Sequence, residues 1–294
     1  MKFLLPLLVL GACVTADEEP TNVISLEVDS SNGTSLNGTS LNGTSLNGTS
    51  LNGTSLNGTS LNGTSLNGTS LNGTSLNGTS LNGTSLVGSS WSGTTSNGAT
   101  VKLRVDKATQ GAGTNADVWF YSVSFQTSTG WSPLCGVDAS GIPVQAIAVP
   151  GVWTGTANNY ASSATQFTWA CRAKTVAKCV ELGYKPWKSL SNQLASCVRL
   201  LRADYCGTGV SYTKDGTLLN LYDNVGVQAD AEAWGLEAGW GPSGATCLSN
   251  AADTRFIILK TTVPPCFATL KAKTTSCGFT TTGTYLLDEL SPNL

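Results

Sequence analysis

The chain has 294 residues, a formal charge of −2, 12% charged residues and no histidine. The absence of histidine excludes Ser-His-Asp and Cys-His nucleophile systems and every histidine metal ligand. A chain of this charge has no electrostatic footprint for nucleic acid, so we expect no nucleic-acid partner. The length is enough for one or two domains.

The N-terminus is typical of an export signal. Met1 and Lys2 give a short basic start, and residues 3–10 form an apolar run that is broken only by Pro6. This run is too short to span a bilayer, which needs about 20 residues. The pattern predicts a signal peptide over residues 1–12.

The signal ends in Leu10-Gly11-Ala12-Cys13, which resembles the lipobox of bacterial lipoproteins. The resemblance implies cleavage before Cys13 and attachment of lipid to its thiol, so that acyl chains anchor the protein in a membrane. We expect residues 13–25 to be a tether and the domain to be exported into the bacterial cell envelope, at the outer membrane. The alternative is an ordinary secretory signal that is cut after Ala12.

A repeat follows the tether. Residues 36–85 contain ten copies of Leu-Asn-Gly-Thr-Ser, and the five-residue phase extends over residues 26–98. Read from threonine, the unit resembles the pentapeptide-repeat family, which implies a square β-helix with threonine and leucine pointing inward. The alternative is a disordered, low-complexity segment, because one leucine in five gives little core. We expect this tract to act as a spacer in either case, although its Asn-Gly-Thr sequons would make a glycosylated stalk in a eukaryotic secreted protein.

Residues 99–294 have the composition of a globular domain. Alternating or β-branched runs predict strands at residues 101–105, 117–125, 142–149, 167–171 and 256–260, and breaker residues predict a turn at 130–136. The dipeptide Asp215-Gly216 predicts the turn of a hairpin over residues 211–223.

Two helices are predicted between these strands. Apolar residues from Val176 to Leu182 follow a helical stripe that ends at Gly183, a plausible C-cap. A second stripe, from Leu190 to Leu201, predicts a helix over about residues 190–205. The domain is therefore expected to be mainly β (α+β), with two short helices.

The cysteine count supports a disulfide framework. With Cys13 assigned to lipid, eight cysteines remain in an exported and oxidising setting, which favours four disulfides. Their pairing cannot be deduced from spacing, and the absence of a Cys-x2-Cys pair argues against zinc. We expect no metal and no cofactor. The disulfide candidates are Cys135, Cys171, Cys179, Cys197, Cys206, Cys247, Cys266 and Cys277.

One tetrapeptide carries a specific resemblance. Ala203-Asp204-Tyr205-Cys206, together with the segments at 183–187, 212–217 and 240–247, is similar to the pattern of the ADYC domain family. The similarity covers roughly residues 135–277. It implies an exported protein or lipoprotein of a Gram-negative bacterium, since the family is found mainly in such proteins. It implies no activity.

Four carboxylates are weak catalytic candidates. Asp204, Asp215, Asp223 and Glu237 would form the carboxylate pair of a glycoside hydrolase, or a calcium site, only if they converged. Asp204 and Tyr205, at a helix end beside a cysteine, are better explained as structural. A partner such as Arg202 or a backbone amide would offset the unfavourable helix dipole at Asp204.

The tryptophans offer one more reading. Eight of them would form either a carbohydrate-binding face or part of the core, and we expect Trp131, Trp153, Trp187 and Trp240 on loops because glycine or proline lies beside or near them. The sequence therefore favours a non-catalytic, surface-displayed structural or binding module with a polysaccharide or protein ligand. The alternative is a carboxylate-based hydrolase that acts on an extracellular polymer.

Overall fold

A computed structural model describes ten stretches of the chain, which leave Cys13, most of the repeat tract and Asp215 outside. The described residues are 24–27, 83–94, 100–154, 159–162, 166–172, 174–214, 216–250, 254–260, 262–271 and 277–292. Within them the chain forms thirteen strands and four short α-helices. The prediction of a mainly β domain is confirmed, with two more short helices than expected.

The strands are β1 (Ile24–Glu27), β2 (Ser90–Thr94), β3 (Thr100–Gln110), β4 (Trp119–Thr127), β5 (Gly130–Pro133), β6 (Ala146–Pro150), β7 (Val152–Thr154), β8 (Asn159–Ala161), β9 (Gln166–Cys171), β10 (Leu219–Asp223), β11 (Gly235–Gly241), β12 (Gly244–Leu248) and β13 (Leu286–Leu290). The helices are α1 (Thr175–Glu181), α2 (Ser191–Arg202), α3 (Arg255–Ile258) and α4 (Phe267–Lys271).

The first sheet curls towards a barrel. Its antiparallel strands follow the order β1-β9-β6-β4-β3-β2, with β5 paired to β4, and the outer strands β1 and β2 lie next to each other. Residues assigned from sequence to the tether and the tract, at 24–27 and 90–94, thus contribute to this sheet. Because side chains alternate along a strand, every second residue points into the barrel. The interior is filled by Leu86, Trp91, Leu103, Val105, Tyr121, Val123, Ala146, Ala148, Phe167 and Trp169.

The alternate residues of the same strands face a second core. Phe120, Ile147 and Val149 belong to one cluster with the buried faces of α1 and α2. A second sheet, in the order β10-β13-β11-β12, packs on α2. The helices therefore share their apolar faces with both sheets.

A residue with left-handed backbone conformation follows the end of each of the two predicted helices. Gly183, with φ +111°, follows α1 as predicted. Helix α2 ends at Arg202, because Ala203 adopts φ 50° and the Asp204 N–H turns back to the Arg199 carbonyl at 2.9 Å. This closure ends the helix before the predicted limit at residue 205.

Three local predictions are wrong, and a fourth places the start of a strand too early. The hairpin over 211–223 does not form, because Tyr212 N–H donates to the Arg202 carbonyl, and β10 pairs with β13 instead. The strand predicted at 256–260 is the helix α3 followed by a turn. The turn predicted at 130–136 contains β5, and the strand predicted from residue 142 begins at Ala146.

Four disulfides connect the elements, as predicted. Cys135–Cys171 joins the β5–β6 connection to β9, and Cys179–Cys197 joins α1 to α2. Cys206–Cys266 joins the segment after α2 to the residue before α4. Cys247–Cys277 joins β12 to the segment before β13. Such bonds form and persist in an oxidising compartment, typically outside the cytosol. Among the described residues, no helix has the length and apolar character needed to cross a bilayer.

Removal of a disulfide should destabilise the domain in proportion to the loop that it closes. We expect Cys179→Ala/Cys197→Ala, which opens an 18-residue span, to lose about 3 kcal/mol of unfolding free energy. Cys206→Ala/Cys266→Ala, which opens a 60-residue span, should lose about 1 kcal/mol more. Urea denaturation of both double variants measures the difference, and the reverse order would contradict this account.

Candidate binding groove and buried charge clusters

A charged cluster lies at the centre of the second core. The guanidinium of Arg255 donates to Glu237 Oε2 at 2.8 Å and to Asp288 Oδ2 at 3.0 Å. The Trp240 indole N–H donates to Asp288 Oδ1 at 2.7 Å, and the Tyr205 hydroxyl donates to Glu237 Oε1. Each of these five residues is at most 1% exposed. A buried ion cluster offsets its desolvation cost through such hydrogen bonds. One atom of the cluster, Arg255 Nη1, is buried without a hydrogen-bond partner among the described residues.

The backbone of α3 is part of the same cluster. The Arg255 N–H donates to Glu237 Oε1 at 2.7 Å and to the Tyr205 hydroxyl at 3.1 Å. This N–H has no partner within its own helix, because the first amides of a helix lack a preceding carbonyl. Glu237 thus holds both the side chain and the first turn of α3, which explains why residues 255–258 are helical.

Burial and charge shift the pKa values of two groups in the cluster. Burial, followed by the charge of Glu237, raises the pKa of Asp288 well above its ordinary value of 3.8. Burial opposes the charged form of Arg255, but the charges of Glu237 and Asp288 outweigh burial and raise the pKa of Arg255. Both shifts follow from placing ionisable groups together in a buried site.

Asp204, the second residue of the signature, forms an ion pair and hydrogen bonds with a different set of residues. It is buried, and its Oδ2 accepts from Arg199 Nη1 at 2.5 Å and from Gly209 N–H at 2.8 Å. Its Oδ1 accepts from Thr208 N–H at 3.0 Å. The expected offset of the helix dipole is present, but the cation that supplies it is Arg199 rather than Arg202.

The signature also brings two turns into contact. The Tyr205 carbonyl accepts from Ala245 N–H at 2.9 Å, and Cys206 is bonded to Cys266. Gly207, with φ +66°, lies so close to the Ser243 carbonyl that an added Cβ would approach its oxygen to 2.0 Å. Only glycine fits this approach.

The candidate carboxylates are held apart. Asp223 accepts from the Tyr184 hydroxyl at 2.9 Å and from three backbone amides of its own loop, and these amides help to lower its pKa although burial opposes them. Asp204, Asp223 and Glu237 share no hydrogen bond or ion pair with one another, and Asp215 lies outside the described residues. Among the described residues, no group of three or more Cys, Asp or Glu is arranged to hold a metal ion.

Three of the four tryptophans expected on loops, Trp131, Trp153 and Trp240, lie in strands, so the loop prediction is wrong for them. Trp153 and Trp240 are buried in β7 and β11. Trp131 lies on the edge strand β5, is 38% exposed and stacks on Arg104 with 4.6 Å between the guanidinium carbon and the ring centroid. Trp187 lies in a short turn and donates to Asp117 at 3.0 Å.

An open groove of about 1450 Å³ lies outside these clusters. It is lined by residues of β3, β4, the 138–145 loop, α1, residues 213–214 and 216–218, and β10. Arg172 also lines the groove, and its guanidinium makes two bonds to Glu181 (2.8 and 3.0 Å) and lies over the Phe120 ring. The Asp138 carboxylate fixes the loop by accepting from the Ser140 and Ile142 amides.

Sequence reasoning missed several charged residues of the two buried clusters, the one around Asp204 and the one around Glu237. Arg199 and Arg255 lie within apolar runs of the sequence, Cys-Val-Arg-Leu-Leu and Arg-Phe-Ile-Ile-Leu, and Asp288 lies in Leu-Leu-Asp-Glu-Leu. A charge inside such a run is a signal for a buried ion pair, because a charged residue is rarely buried without a partner.

The fold and these clusters define a disulfide-stabilised, mainly β domain whose signature residues Asp204, Tyr205 and Cys206 are bonded to other parts of the domain. A family model described as the ADYC domain matches residues 83–254, and models of pentapeptide repeats (8 copies) match residues 32–63 and 55–90. The chain therefore belongs to the ADYC domain family. No characterised protein and no solved structure matches it significantly.

Substitutions in the signature should separate its two residues by their buried partners. Asp204→Ala leaves Arg199 and two amides uncompensated and should cost about 3–5 kcal/mol. Tyr205→Phe keeps the ring but removes the hydroxyl from Glu237 and should cost about 1–3 kcal/mol. Urea unfolding measures both, with exposed Glu232→Ala as a control that should change stability by less than about 0.5 kcal/mol. Equal losses for Asp204→Ala and the control would contradict the structural role.

The raised pKa of Asp288 predicts a pH dependence of stability. Because its folded pKa is raised, its contribution to stability is complete below 3.8 and is lost as pH rises towards the folded pKa. Asp288→Asn removes this proton linkage. Between about pH 4 and pH 8, the unfolding free energy of the variant should therefore rise relative to that of the wild type.

Urea titrations at several pH values measure this difference, and groups with lowered pKa, such as Asp223, are present in both proteins and cancel. Glu232→Gln is the control for a carboxylate at the surface. A constant difference between Asp288→Asn and the wild type across the pH range would show that Asp288 titrates alike in the folded and unfolded chains.

Proposed function

We propose that this protein is a lipoprotein of the bacterial cell envelope, anchored through Cys13, that displays its ADYC domain as a non-catalytic module for binding a polymer or a protein. The observation that carries the proposal is the contrast between the carboxylates and the groove. Asp204 and Glu237 are sealed from solvent by their partners, whereas the groove is open and presents uncommitted cations. A sealed carboxylate has no access to a substrate, and an open groove has.

The cysteines support the anchor. The eight cysteines of residues 99–294 are bonded to one another, so Cys13 has no partner among them. The sequence Leu10-Gly11-Ala12-Cys13 gives its thiol the setting of a lipidation site. Lipid would hold the oxidised domain at a membrane surface without a transmembrane helix.

The tract takes a restricted spacer role in this proposal. Strand β1 precedes nearly all of the tract and β2 follows most of it, and the two strands are neighbours. Only residues 14–23 then link Cys13 to the sheet, and they span at most about 35 Å when extended. The copy number of the repeat would then not set the distance between the membrane and the domain.

The anchor is tested by Cys13→Ser in a Gram-negative host. We expect the wild type to incorporate labelled palmitate and to fractionate with membranes, and the variant to lose both while keeping four disulfides and an unchanged melting temperature. Cys13 is absent from the domain, so folding is not at risk. Equal labelling of both proteins, or a soluble wild type, would contradict the lipoprotein assignment.

A further inference from the structure

The groove carries a charge opposite to that of the chain as a whole. Among its described lining residues, four side chains are basic and two are acidic, and one of the acidic residues, Glu181, is neutralised by Arg172. The whole chain has a formal charge of −2. We propose that the groove binds an anionic polysaccharide, an inference that rests on the proposed binding function and names its ligand class.

The uncommitted cations come from three different elements. Lys107 lies on β3, Lys178 on α1 and Lys214 on the loop before β10. Each is exposed, and none makes a hydrogen bond or an ion pair with a described residue through its side chain. Cations placed around a concave surface raise the local concentration of an anionic ligand and speed its association.

Hydroxyl and amide groups lie between these cations. They include Thr109, Ser122, Thr175, Thr213, Thr217 and Gln145. Four of them make hydrogen bonds: Gln145 Nε2 donates to Thr109 Oγ1 at 3.2 Å, Thr213 donates to Thr217 Oγ1 at 3.3 Å, and Thr217 donates to the Lys214 carbonyl at 2.7 Å. A ligand that combines negative charge with many hydroxyl groups satisfies both kinds of lining residue, and a polysaccharide with acidic groups has this composition.

The size and openness of the groove favour a polymer. Pockets for small molecules enclose roughly 300–1,000 Å³ and bury most of the ligand. This groove has about 1450 Å³ and is open to solvent. Leu201, Leu219 and Leu221 give it an apolar floor on which the carbon-bound hydrogens of sugar rings would pack.

The test uses the full-length lipidated protein in detergent micelles, with polygalacturonate as the anionic polysaccharide. We expect saturable binding in isothermal titration calorimetry that weakens as sodium chloride is raised, because salt screens exposed charges. Lys107→Glu/Lys178→Glu should reduce the affinity about 100-fold, at about tenfold for each reversed charge.

A matched control lies on the same strand. Lys102 is exposed on β3 but does not line the groove, so Lys102→Glu should change the affinity by less than about twofold. All three lysines are at the surface, and their substitution should leave the melting temperature unchanged. The folded variants thus report on binding alone.

The remaining outcomes separate the ligand from the function. Equal binding of polygalacturonate by the double variant would overturn the groove as the site and leave a binding protein. Tighter binding of polyglutamate, or of neutral dextran, would overturn the ligand class while supporting a protein or neutral-glycan binder. Cleavage of the polygalacturonate would overturn the non-catalytic function itself.

Discussion

The ion cluster around Arg255 is the constraint on which the second core depends. Its guanidinium and its amide, at the start of α3, are held by groups from three other stretches of the chain: the signature after α2, β11 and β13. Breaking a buried pair leaves an uncompensated charge, which costs about 3–5 kcal/mol. A cluster of this kind therefore favours a single arrangement of these four elements.

Each residue of the signature tetrapeptide has its own role in the fold. Ala203 closes α2, Asp204 neutralises Arg199, Tyr205 bonds Glu237, and Cys206 is tied to Cys266. None of these roles needs a substrate. The groove, by contrast, presents three lysines, Lys107, Lys178 and Lys214, that are exposed to solvent. The proposed binding role would therefore use a different part of the domain from the signature.

Much of the fold could be predicted from local patterns. Strands β3, β4 and β9, both long helices and the glycine after α1 follow from periodicity and capping, which act over short stretches. The wrong predictions arise where a distant group competes. The Arg202 carbonyl captures Tyr212 and removes the hairpin, and Glu237 caps α3 and converts an apparent strand into a helix. In β11 the glycines mark close packing, since an added Cβ at Gly239 would lie 2.8 Å from Cys247 Sγ.

We expect the ion cluster around Arg255 and Glu237 to stay closed to solvent as long as the protein is folded. Native-state hydrogen exchange of the Arg255 amide tests this most directly, because that amide donates to Glu237 and to Tyr205 inside the cluster. We expect the Arg255 amide proton to exchange only through global unfolding, with a free energy of exchange equal to the unfolding free energy from urea denaturation. Exchange at the rate of surface amides would show that solvent reaches Glu237, and would return the carboxylates to consideration as a catalytic site.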